Sequence, residues 1–179
     1  AFASSATFEG AVTNAGTISL QGAYGSFSTN SAYADATFES TVTNTGSIEA
    51  TAGNLVFGST GSVDNSAAGQ IEVQSLVTSG HAIVSSATFE GAVTNAGTIS
   101  LQGAYGSGTE ANADATFEAA VSNTGTIGAS GGNLVFGSAG SVDNVAGAHI
   151  DVQSLLVSSH AVASSATFEG AVTNAGTIS

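Results

Sequence analysis

The chain has 179 residues, of which thirteen are acidic and none is basic, giving a formal charge of −13 with neutral histidines. Without Lys or Arg it has nothing to neutralise phosphates, which excludes nucleic-acid binding and basic-patch docking on anionic membranes. Without Cys it forms no disulfides, yet an apolar fraction of 42% and a mean hydropathy of +0.29 give it the means to collapse, unlike a disordered acidic tail.

In chain order, the first predicted elements are short strands at residues 6–9 (ATFE), 11–14 (AVTN) and 16–20 (GTISL). Apolar residues alternate with polar ones in each, and Asn and Gly fall between them where tight turns form. The same grammar returns at 36–48, then in NLVF (54–57) and QIEV (70–73). No segment carries a helical apolar stripe, and no apolar run reaches the length of a membrane-spanning helix.

At Ser85 the chain begins again: residues 4–26 and 85–107 are identical. The long repeats therefore span 4–84 and 85–163, with a partial third at 164–179, all within one continuous segment, 1–179. The second repeat is two residues shorter after AYGS, which marks that stretch as a surface loop. The chain shows neither a signal-peptide pattern nor an initiator Met, and it ends inside a repeat. This reads as a mature product or internal fragment whose ends can continue one another.

Inside the long repeats lies a shorter unit, F-x-V-x-N-x-G-x-I, with spacers of variable length. Its phenylalanines are Phe8, Phe38, Phe57, Phe89, Phe117, Phe136 and Phe168. Its asparagines are Asn14, Asn44, Asn65, Asn95, Asn123, Asn144 and Asn174. Repeated short strands predict an all-β fold, a right-handed parallel β-helix with about 19–21 residues per coil. Phe, Val and Ile are the expected core stack, and the seven Asn the expected ladder of side-chain amides along one corner. The Phe38–Phe57 and Phe117–Phe136 steps of 19 fit one coil each. The longer steps fit either one and a half coils or one coil with a loop. The first alternative gives four coils per long repeat, which the spacing favours, and a rod of about 35–45 Å; the second gives three.

Glu follows Phe at Glu9, Glu39, Glu90, Glu118 and Glu169. With Phe inward these carboxylates face water, as a solvated face or as candidate weak Ca2+ ligands, since hard cations prefer several oxygens. His81, His149 and His160 have no metal-ligand spacing, and no nucleophile–base pair can be assigned. The expectation is therefore a non-enzyme without an obligatory cofactor.

Residues 46–73 (GSIEATAGNLVFGSTGSVDNSAAGQIEV) and 125–152 (GTIGASGGNLVFGSAGSVDNVAGAHIDV) carry N-x-G-[TS]-I, G-x-L-x-F and G-x-V-x-N together with their preceding asparagines. They resemble the repeats of filamentous-haemagglutinin-like adhesins and related autotransporter passengers. The resemblance implies a secreted or cell-surface rod acting in adhesion, biofilm or extracellular matrix, and it transfers no catalytic residue. Self-association end to end or side by side, with any glycan or receptor contact carried elsewhere in a longer protein, completes this reading. Near-identity of the long repeats and the total lack of Lys and Arg depart from the family's usual pattern. The alternative is a ligand-binding solenoid with an ice- or glycan-binding face, for which Thr13, Thr43 and Thr94 are the candidates.

Overall fold

The computed structural model describes residues 2–24 and 31–179. Three parallel seven-stranded stacks form the walls of a β-solenoid, and each stack takes one strand from every coil. One wall runs from Phe2–Phe8 to Ser165–Phe168, the second from Val12–Asn14 to Ala171–Asn174, and the third from Thr17–Gln21 to Thr177–Ile178. They are called here the Phe, Asn and Ile walls. Seven coils result, coil 1 beginning at Phe2 and coil 7 at Ser165.

Register follows from the repeated unit, because a strand has a side-chain period of two and a one-residue slip would turn its core face to solvent. Phe pairs with Phe on every step of the Phe wall. Asn pairs with Asn along its wall, and Ile with Ile along the third. The rings of Phe8 through Phe168 form one column with centroids 4.7–5.0 Å apart and planes within 2–8° of parallel. Val42, Ile48, Leu55 and their equivalents fill the remaining interior. Each such side chain, once fully buried, contributes about 1.5–3 kcal/mol.

The structure corrects the coil count. Each long repeat makes three coils, not four, because Phe8 pairs directly with Phe38 and Phe57 directly with Phe89. The six coil-to-coil steps give a rod of about 29 Å at β-strand spacing, shorter than the sequence spacing predicts. A coil returns in about 20 residues where nothing is inserted. The extra residues leave the coil as antiparallel hairpins: Leu76–Thr78 with His81–Ile83 in coil 3, Ala104–Gly106 with Thr109–Ala111 in coil 4, and Leu155–Val157 with His160–Val162 in coil 6. Ser79 and Gly80, like Ser107 and Gly108, both have positive φ, as two-residue hairpin turns require. Coil 1 carries the start of a similar hairpin, Ala23 opposite Ala32 and Tyr24 opposite Ser31. The expected surface loop is therefore a hairpin in the second long repeat, while its counterpart at residues 25–30 lies outside the described residues.

At the corner after the Asn in coils 2 to 5, successive coils approach too closely for a side chain on the glycine, whereas coil 6 has Ala148 in that place. A Cβ on Gly97 would lie 2.2 Å from the Gly69 carbonyl oxygen, and one on Gly125 would lie 2.2 Å from that of Gly97. On Gly16, in coil 1, a Cβ would meet nothing within 4 Å.

Candidate functional surfaces of the rod

The seven asparagines form a continuous ladder. Nδ2 of each donates to Oδ1 of the next at 2.8 Å, from Asn14 through to Asn174. The same Nδ2 groups also donate to carbonyls of the following strand, as Asn95 does to Thr126 at 3.0 Å. Asn44, Asn65, Asn95, Asn123 and Asn144 are fully buried. Burying an amide costs free energy unless its donors and acceptors are met, and among the described residues no buried side-chain polar atom lacks a partner. The interior members of the ladder are thus wholly engaged within the rod, while Asn174 at its end is exposed.

A second polar chain was not picked out from the sequence. Asp35 Oδ1 accepts from both the Asn54 backbone N–H (3.0 Å) and Asn54 Nδ2 (2.9 Å). Asn54 Oδ1 then accepts from the Ser86 N–H and Ser86 Oγ. Asp114, Asn133 and Ser165 repeat the arrangement. The signal was the shared offset of ADATFE, GNLVF and SSATFE in the two long repeats; its reading required knowing that these segments stack.

The five glutamates lie in one outward column beside the Phe stack. The backbone N–H groups of Glu39, Glu90, Glu118 and Glu169 each donate to the carbonyl of the Phe in the preceding coil. Gly58 and Gly137 occupy the same place in coils 3 and 6. They split the column, leaving Glu9 beside Glu39 and Glu90 beside Glu118. A shallow recess of about 510 Å³ opens at the first gap, lined by Val56 and Gly58 together with Glu9, Glu39 and Glu90. The Glu90 carboxylate accepts from the Ser59 N–H there at 3.2 Å. Among the described residues no group of three or more acidic or imidazole side chains is placed to hold a metal ion.

The histidines are dispersed. His149 stands in the Ile wall between Thr126 and Thr177, whereas His81 and His160 lie in hairpins. His160 stacks on Tyr105 with centroids 4.7 Å apart, joining the hairpins of coils 4 and 6 across coil 5. Thr13, Thr43 and Thr94 do share an outward column of the Asn wall, but Asp64 and Asp143 interrupt it.

No family model, curated protein or solved structure matches the chain. The functional reading therefore rests on its own geometry.

Proposed function

We propose that the chain is a structural element of an extracellular or cell-surface fibre or adhesin stalk, a spacer rather than an enzyme. The observation that carries this reading is the in-register stacking of like residues on all three walls. Such a stack lengthens by whole coils without altering its cross-section, which suits a part that spans distance. The rod associates with copies of itself in matrix or adhesive layers, and the adhesin-like repeats of residues 46–73 and 125–152 favour the same assignment. Weak Ca2+ binding at the Glu9/Glu39 and Glu90/Glu118 neighbours is part of the reading. A calcium titration at constant ionic strength that leaves the unfolding midpoint unchanged removes it.

Immunogold labelling of the producing cells, with and without the gene, tests the main proposal. Label on the outer surface or matrix, and reduced attachment of the deletion strain, are the expected results. Label confined to the cell interior overturns the proposal. Electron microscopy of tandem arrays provides the mechanical half of the test: each added long repeat lengthens the rod by about 14 Å, three β-strand spacings.

A further inference from the structure

The hairpins of coils 4 and 6 face each other across coil 5. Opposite residues of an antiparallel pair share a face, and successive residues alternate faces. In the coil 6 hairpin, Leu155 and Val162 at the base therefore share a face with Val157 and His160 nearer the tip. In the coil 4 hairpin, Tyr105 and Glu110 share a face. These two faces meet. At the base they close over a glycine corner of coil 5. A Cβ on Gly131 would lie 2.9 Å from Leu155 Cβ, and 3.3 Å from both Val162 Cβ and the Cα of Gly103, which leads into the coil 4 hairpin. Towards the tip, the His160 ring lies on the Tyr105 ring with centroids 4.7 Å apart and planes 18° from parallel.

We propose that this contact is a pH-operated clasp, in which protonation of His160 locks the two hairpins together over coil 5 and deprotonation loosens them. A cation over an aromatic face, within about 6 Å of the centroid, is attracted by the ring quadrupole. His160 holds that position over Tyr105. Glu110 stands opposite Tyr105 on the same face, so the hairpin that receives His160 also presents a carboxylate to it. The chain has thirteen acids and no Lys or Arg, and its three histidines are the only side chains able to become positive. A neutral imidazole keeps the ring stack but forgoes both attractions.

The remaining neighbours of His160 leave this balance unopposed. Its own hairpin sets Val157 opposite it, and Ser159 Oγ lies 3.4 Å from His160 Nδ1. Coil 5 brings the uncharged Gly131 and Gly132 to this corner, and its Asp114 is engaged by Asn133. The sign follows from the charge. The added attraction is complete where His160 is protonated, and it is lost as pH rises through the interval in which histidine gives up its proton, between about pH 5 and 8. The clasp does not depend on the use to which the rod is put.

Backbone hydrogen exchange of the intact chain, followed by NMR at about pH 5 and about pH 8 and corrected for the intrinsic pH dependence of exchange, tests it. The amides of residues 104–111 and 155–162 are expected to be about two- to fivefold better protected at the lower pH, the fold-change of an exposed cation–π contact. His160→Phe keeps an aromatic ring against Tyr105 but takes up no proton, and is expected to abolish that difference while His81 and His149 still titrate. Tyr105→Leu removes the ring face and is expected to reduce it. His160 is exposed in its hairpin, so both variants should keep the walls intact, which circular dichroism checks. Equal protection of the parent at the two pH values overturns the clasp. A difference that persists unchanged in either variant overturns it as well, assigning the response to another group.

Discussion

Asn95 Nδ2 lies 2.8 Å from Asn123 Oδ1, and both residues are completely buried. Each amide in such a column is at once donor to one neighbour and acceptor from the other. Replacing an interior member leaves one donor and one acceptor facing a gap. Asn95→Ala is expected to lower stability by about 2–4 kcal/mol, the cost of two compromised buried polar groups. Asn174→Ala, at the exposed last member, costs under about 1 kcal/mol because water meets the freed donor. Urea unfolding followed by circular dichroism measures both; equal costs contradict the ladder's energetic role.

The phenylalanine column gives a second gradient. Phe89 is fully buried between Phe57 and Phe117, whereas Phe168, at the end of the column, stacks on Phe136 alone among the described residues and is partly exposed. Phe89→Ala is expected to cost about 3–5 kcal/mol, through lost transfer energy and an unfilled cavity. Phe168→Ala is expected to cost less than half of that. A reversed order in denaturant titrations refutes the burial gradient.

Gly97 and Gly16 occupy the same place in the unit but have different surroundings. Gly97→Ala drives its Cβ onto a backbone oxygen that cannot move without shifting the coil, and is expected to cost about 3 kcal/mol or more, at or beyond the upper end of ordinary single-mutant values. Gly16→Ala has open space and should fall within about 0.5 kcal/mol of the parent. Thermal melts of the pair decide the matter, since propensity alone would make them equal.

Charge sets the fourth expectation. Glu9 and Glu39 stand in adjacent coils with no Lys or Arg anywhere to pair with them. At about 5 Å in a water-like medium their repulsion is somewhat under ~1 kcal/mol. Glu39→Gln is expected to stabilise the rod by a few tenths of a kcal/mol up to that limit, and the gain should shrink as NaCl is added. A gain that does not change with salt points to a cause other than charge.

The columns were legible in the sequence because stacking places like residues on like: Phe8 over Phe38 and Asn14 over Asn44 could be read as a phrase and its echo. The number of coils was not, because a 30-residue step has the same length whether the chain winds further or leaves as a hairpin. Pairing decides it. Leu76, Val77 and Thr78 turn back antiparallel on Ile83, Ala82 and His81 instead of joining a wall. The polar chain from Asp35 through Asn54 to Ser86 was hidden for a related reason. Its members are three different residue types, brought into line only once the three-coil closure is known.

The unbroken phenylalanine column carries one more implication. Each coil seats its ring directly on the last, 4.7–5.0 Å further along the rod. Gene-level duplication or loss of an 81- or 79-residue block would then move everything beyond it by about 14 Å. Recombination between near-identical blocks becomes a ruler adjustment, changing reach in fixed increments.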